Sequence, residues 1–376
     1  MQWLSNKFEL SRNDGSGNVR PMEGLRGFAV FLVFLVHFAS MMAPWISKHS
    51  VLAAAALKLH AIGNAGVDLF FVLSGYLIYG SLMARQQAFV PFMRRRIRRI
   101  YPAFSVVFLV YLLLSILQPA TSKIPADGAG ASLYIVQNFL LLPGIFNIEP
   151  IVTVAWSLSY EMLYYLVLPP LVLLLSMRAR SGAWRSTFFI LAGAGILVGC
   201  TAYDGPLRLV MFIGGILLHE ALRVSTRAPR AGFAAVLVIA GLAFQAAPYY
   251  GEIAWATRIV VLLFAFFVLC LHCFTMPQSW LASFFTLTPL RWLGNMSYSY
   301  YLLHGLALKV SIMMLLAVVP KVSHEVAFTL AALPVMFILT LLPSAALFLL
   351  IERPFSLNKK TPPQMAPTPL AAKAMG

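Results

Sequence analysis

Long apolar runs divided by short basic gaps leave this chain few ways to fold. A membrane-crossing helix needs about 20 mostly apolar residues. Such runs lie near 25–45, 66–83, 103–118, 151–176, 187–204, 206–222, 231–248, 253–274, 297–317 and 326–351. Composition agrees, because only 11% of the residues are charged and 60% are hydrophobic, whereas a soluble chain carries roughly 25% charged residues. So few charges cannot cover a core of this size in water, and lipid must be the solvent for much of the surface. The expected fold is all-α: a polytopic transmembrane helix bundle of about ten spans. The first run contains His37 and lacks a small-x-small cleavage site, so it is read as a retained span and not a signal peptide. Residues 1–20 form a polar N-terminal segment, 21–355 the membrane domain, and 356–376 a Pro/Ala/Lys-rich tail expected to be disordered. The stretch 119–150 reads as the longest loop, and 51–62 as a short interfacial helix.

The formal net charge of +16 is spread over the gaps between spans. That is the pattern of topology and anionic lipid, not of a nucleic-acid face. If the N-terminus is cytoplasmic and the spans alternate, the inside segments hold the Arg94–Arg99 cluster, Arg178, Arg180, Arg185, Arg223, Arg227, Arg230, Arg291, Arg353 and the Lys-bearing tail. The outside segments then hold only Lys48, Lys58, Lys123, Arg208, Arg258 and Lys321. The bias places both termini in the cytoplasm. Cys200, Cys270 and Cys273 lie in or beside apolar segments, an odd count that argues against a disulfide framework. The seven His are scattered along the chain, and no metal site is expected.

Charged groups at membrane depth cost several kcal/mol and default to the bundle interior. Arg26 and His37 share the first span. Eleven residues are close to three turns, so both face one way, about 16 Å apart in rise. Arg26 either snorkels or serves a site, and His37 is either a satisfied interior imidazole or a proton-transfer group. Asp68 opens the second span in G-V-D-L-F-F-V-L-S-G-Y, as an N-cap, a partner of Arg26 or an orienter of His37. Ser74 precedes Gly75, a pair suited to close helix approach more than to nucleophilic catalysis. Glu161 lies well inside an apolar run in W-S-L-S-Y-E, where it could bind a sugar hydroxyl, pair with an Arg or raise the basicity of a His. In R-R-R-I-R-R, Arg96 and Arg99 share a helical face and have the shape to clamp phosphates of a cytosolic donor. His304 is structural or substrate-binding. Glu352 and Arg353 read as an interfacial ion pair closing the last span.

Taken together, these strings resemble the acyltransferase-3 family of bacterial inner-membrane O-acyltransferases. The resemblance spans nearly the whole chain and is carried by Arg26-x10-His37, by G-V-D-L-F-F-V-L-S-G-Y at 66–76, by R-R-I-R-R-I-Y-P at 95–102, by W-S-L-S-Y-E at 156–161, by S-Y-S-Y-Y-L-L-H at 297–304 and by I-E-R-P at 351–354. After the Trp-Ser pair the sequence keeps the family's Glu and Tyr as Glu161 and Tyr164. The resemblance implies a multi-pass protein of the bacterial inner membrane, an acyl-CoA donor (commonly acetyl-CoA, a substrate and not a bound cofactor) and a carbohydrate acceptor that is lipid-linked or on the cell surface. Family members with a fused esterase-like domain are longer, and this chain is expected to lack one.

Under that resemblance, His37, Arg26, Glu161 and Asp68 are the catalytic candidates. Arg96, Arg99 and Tyr101 are assigned to acyl-CoA, and Ser74, Trp156 and His304 to the acceptor or to structure. In direct transfer His37 acts as general base on a sugar hydroxyl entering near Glu161 and Asp68; in a second version His37 or a Ser carries the acyl group covalently. Intramembrane Arg, His and Glu also suit a proton-coupled transporter of an anionic or lipid-linked substrate, although no inverted repeat stands out. A different membrane O-acyltransferase fold would place a His in its bundle as well.

Overall fold

With no water to pair its amides, a chain in lipid satisfies its backbone inside helices. The structure, a computed structural model, describes residues 2–10, 19–224, 228–248 and 250–357. Among the described residues fifteen α-helices follow in order: α1 (Gln2–Phe8), α2 (Val19–Met41), α3 (Val51–Gly63), α4 (Ala65–Ala84), α5 (Phe89–Leu117), α6 (Gly128–Phe139), α7 (Ala155–Leu174), α8 (Gly182–Ala202), α9 (Val210–Val224), α10 (Ala231–Gln245), α11 (Glu252–Thr275), α12 (Trp280–Phe284), α13 (Thr288–Asn295), α14 (Ser297–Val318) and α15 (Glu325–Leu347). The last runs on into wider π-type turns over Phe348–Leu357. No β-strand occurs among the described residues, and all three cysteines are free.

Eight helical stretches among the described residues are long and apolar enough to cross a membrane. The runs at 206–222 and 231–248 do not reach that length. They fold as α9 and α10, of 15 residues each, roughly 22 Å at 1.5 Å per residue against a hydrocarbon core of about 30 Å. Much of α9 is covered by protein, with Met211, Phe212, Ile216 and Leu218 fully buried. The run at 103–118 is part of a longer element: α5 is one helix of 29 residues that carries the arginines in its first turns and passes through Pro102. The 119–150 loop contains α6, capped by Asp127, whose carboxylate accepts from the Gly130 amide at 2.6 Å. The N-terminal segment is also structured in part. The Phe8 ring stacks on Phe348 at 5.8 Å, and the Arg353 guanidinium donates to the Asn6 and Lys7 carbonyls. The stretch 11–18 and the tail from 358, where disorder was expected, lie outside the described residues.

Small residues set how closely the helices pack. A Cβ on Gly75 of α4 would sit 2.1 Å from the Phe212 carbonyl oxygen of α9, and one on Gly27 of α2 would sit 2.0 Å from that of Leu290. α4 and α9 run parallel: Asp68 meets Arg208 just before α9, Gly75 meets Phe212, and Tyr79 meets Glu220. α2 lies between α4, α13 and α14, so the polar residues of the first span face protein.

Candidate functional site

The Arg26-x10-His37 spacing places both side chains against α14. The Arg26 guanidinium donates to Ser297 Oγ through Nε at 3.2 Å and Nη2 at 2.9 Å. Farther along, the His37 and His304 rings lie 5.0 Å apart between centroids. Phe70 of α4 bridges the interval, with Arg26 5.6 Å from its ring centre and Tyr301 6.1 Å away on α14.

His37 is half-buried and borders a cavity of about 170 Å³ whose polar lining is His37, His60, Asn64, Thr153, Trp156 and Tyr301. Pockets that engulf a drug-sized ligand measure roughly 300–1,000 Å³. A cavity of this size has room for only one end of such a ligand. Tyr301 is anchored by a 2.8 Å hydrogen bond between its hydroxyl and Ser157. His60 Nδ1 is 2.9 Å from Ser40 Oγ. Histidines scattered along the chain thus come near one another in space: His37 of α2 and His60 of α3 both line this cavity, and the His304 ring of α14 lies 5.0 Å from that of His37. Among the described residues no group of His, Cys, Asp and Glu is arranged to hold a metal ion.

A second polar group forms around the basic turns of α5. Arg94, Arg95 and Arg98 are exposed, whereas Arg96 and Arg99 turn inward and are half-buried. Arg96 Nη2 donates to Ser81 Oγ at 3.0 Å, and its guanidinium lies 5.1 Å from the Tyr165 ring centre. The Tyr165 hydroxyl donates to Glu161. Glu161 therefore joins the Arg96 group and is not among the residues lining the His37 cavity. Arg99 pairs with Glu352 at 3.2 Å, and Glu352 Oε2 accepts from the Ser299 amide and hydroxyl at 3.1 and 2.7 Å. The Tyr298 hydroxyl donates to the Ile100 carbonyl at 2.8 Å. Three strings remote in sequence, at 95–102, 297–304 and 351–354, thus meet at one point. The ion pair expected between Glu352 and Arg353 is not the one formed, since Glu352 turns to Arg99. The Tyr101 hydroxyl donates to the Phe139 carbonyl at 3.2 Å, which ties α5 to α6.

Asp68 is neither a partner of Arg26 nor a contact of His37. It pairs with Arg208 at 3.0 Å, and Arg208 also donates to the Asn64 carbonyl at 3.2 Å. Asp68 thereby holds the α3–α4 junction that carries Asn64 into the cavity. Ser74 is half-buried beside Gly75, where α4 comes close to α9.

Sequence reasoning missed Arg208, Tyr165, His60, Asn64 and Tyr301. Tyr301 stood inside a quoted string and His60 on a helix read as interfacial. Arg208 could have been found as an Arg close to a short apolar helix that needs a buried counter-ion.

Comparison with known proteins adds a family signature. The family model described as an acyltransferase domain matches residues 21–348. The acyltransferase MdmB of Streptomyces mycarofaciens is 33% identical over 151 residues, covering 39% of this chain and 38% of its own. The peptidoglycan O-acetyltransferase OatA of Listeria monocytogenes is 26% identical over 330 residues, covering 76% of this chain and 49% of its own. The O-acetyltransferase OatA of Staphylococcus aureus is 27% identical over 317 residues, covering 75% and 49%. The match therefore spans about half the length of the OatA proteins or less than half of MdmB. No solved structure matches.

Proposed function

Because this chain belongs to the acyltransferase domain family, whose model matches it from residue 21 to residue 348, we propose that it is a membrane O-acyltransferase that moves an acyl group from acyl-CoA to a carbohydrate hydroxyl, with His37 as general base. The observation that carries this reading is the placement of His37: an imidazole at the wall of a cavity, on the same helix face as Arg26, with an inward-turned arginine group on α5.

The donor's phosphates lie against Arg96 and Arg99, beside Tyr101, on the cytoplasmic side of a bacterial inner membrane. Arg is the side chain best shaped for phosphate, and Glu161 through Tyr165 and Glu352 directly hold the two guanidinium groups in place. The pantetheine arm passes Arg26 and brings the thioester, an acetyl thioester in the simplest case, to His37. The acceptor hydroxyl enters the cavity beside Trp156, Asn64 and Thr153. An indole face with amide and hydroxyl groups suits a sugar ring, and the word peptidoglycan in the name of the Listeria relative favours a cell-envelope carbohydrate.

The reaction balances on these groups alone. His37 removes the hydroxyl proton as the oxygen attacks the thioester carbonyl. The carbon–sulfur bond breaks, and the thiolate recovers the proton from His37 to leave as free thiol. General-base catalysis contributes about 10²–10⁴-fold. The test is His37→Ala in purified protein, supplied with acetyl-CoA and cell-envelope glycan. Loss of at least 100-fold in transfer is expected, and a near-normal rate would overturn the reading.

A further inference from the structure

His304 is fully buried, and its hydrogen bonds fix which of its nitrogens carries the proton. Nδ1 lies 2.9 Å from the Tyr300 carbonyl oxygen and 2.9 Å from that of Tyr301, both in the preceding turn of α14. Carbonyl oxygens only accept, so Nδ1 bears the hydrogen. A cationic ring would also carry a hydrogen on Nε2, and Nε2 is buried without a protein partner. An unpaired N–H and a net charge there would both be costly. His304 is therefore neutral, with a lone pair on Nε2 and no donor yet assigned to it. Its ring cannot readily turn away, because Tyr300 stacks on it at 9° and 5.3 Å. The neighbouring ring able to donate is His37, 5.0 Å away between centroids.

We infer that His304 is the positioning residue of the transfer reaction: its buried Nε2 accepts the N–H of His37, which fixes the His37 tautomer and turns the other His37 nitrogen, lone pair outward, to the cavity. The inference rests on the proposed role of His37 as base. When His37 takes the acceptor's proton, both its nitrogens carry hydrogen. One points at the departing sulfur and the other stays on His304 Nε2, so the imidazolium is held by a neutral acceptor at a cavity whose lining, among the described residues, includes no carboxylate. With the rings 5.0 Å apart between centroids, the bond forms when the His37 ring turns towards Nε2. The assignment explains why an imidazole with one committed and one unpartnered nitrogen is kept in the interior, where a Phe or Leu would pack at lower cost.

Three measurements test this. In ¹⁵N-histidine-labelled protein in liposomes, His304 should show the neutral tautomer with hydrogen on Nδ1, and hydrogen on Nε2 would overturn the inference. His304→Phe keeps the ring and removes the acceptor. It should leave KM for acetyl-CoA within about twofold and lower kcat on the order of 100-fold, as expected for a base that has lost the group fixing its tautomer. His304→Gln, whose amide oxygen can accept from His37, should recover at least tenfold of that loss. A purely structural role would instead lower kcat in both variants alike, in step with melting temperature. If His304→Phe does not fold, the tautomer in the native protein decides. The two readings fail separately. An active His37→Ala overturns the base, whereas an inactive His37→Ala beside a His304→Phe of normal kcat overturns only the role given to His304.

Discussion

The Arg185 guanidinium grips both carboxylate oxygens of Glu220, Nε to Oε1 at 2.8 Å and Nη2 to Oε2 at 2.7 Å, with both side chains almost wholly buried. The Tyr79 hydroxyl adds a third hydrogen bond to Oε1 at 2.7 Å. One carboxylate thus ties α4, α8 and α9 together. Removing a single partner leaves a buried charge uncompensated, at a cost of about 3–5 kcal/mol. Glu220→Ala should lower the thermal midpoint of the detergent-solubilised protein sharply. The double variant Arg185→Met with Glu220→Leu should lose less, because apolar side chains of similar volume carry no such penalty. Heating followed by size-exclusion chromatography reads both.

The α4–α9 contact gives a second stability prediction. Gly75 has the Phe212 carbonyl oxygen where its Cβ would be, so even Gly75→Ala must push two helices apart. Overpacking of this kind costs roughly 1–3 kcal/mol and more where backbone must shift. The neighbouring Ser74→Ala removes one half-buried hydroxyl and should leave both melting and transfer close to native. Strong loss of transfer in a fully stable Ser74→Ala would give that serine a chemical role instead.

The arginine group predicts a donor effect. Arg96 is half-buried and lies over Tyr165. If it meets a phosphate of acyl-CoA, Arg96→Ala should raise KM for the donor at least tenfold, because a charge-assisted hydrogen bond contributes about 1.5–3 kcal/mol. KM for the acceptor should hardly move. Arg96→Lys should recover only part of the loss, since an ammonium neither forks onto a phosphate nor stacks on Tyr165 in the same way. Arg99→Ala mixes two effects, because it also strands Glu352, and should show lower stability together with weaker donor binding. Initial rates over a range of acetyl-CoA concentrations separate these cases.

Much of the helix bundle could be read in the sequence because apolar length is a local property: the runs that became α2, α7, α11 and α14 stand out without any partner. The shared direction of Arg26 and His37 followed from the helical period, which is also local. What was not legible depended on contacts between remote segments. Asp68 has Arg208 as its partner, 140 positions away, and nothing near Asp68 favours that choice over Arg26. Glu352 looks paired with its neighbour Arg353 until α5 brings Arg99 to it. α6, inside the stretch read as a loop, is hidden differently: Asp127 caps it, but Gly128 and Gly130 in its first turn have low helix propensity. The convergence of His60 with His37 and His304 needed the antiparallel return of α3 along α2.

That return of α3 also yields the acceptor prediction. Trp156 and Asn64 both line the His37 cavity, and Asn64 is held there as Arg208 grips its carbonyl while pairing with Asp68. A sugar presses an apolar face on an aromatic ring and offers hydroxyls to amides, so losing either group weakens acceptor binding more than donor binding. Trp156→Ala should raise KM for the glycan by about tenfold, as apolar area buried against the indole contributes roughly 25 cal/mol per Å², with KM for acetyl-CoA near native. Asp68→Asn should act in the same direction at a distance: it weakens the tie to Arg208, loosens the junction bearing Asn64 and raises acceptor KM with little change in the donor's. Saturation curves for each substrate, at fixed saturating levels of the other, distinguish this from a role in proton transfer. Asp68→Asn lowering kcat at saturating acceptor, with both KM values unchanged, would move Asp68 from holding the cavity wall to the chemistry itself.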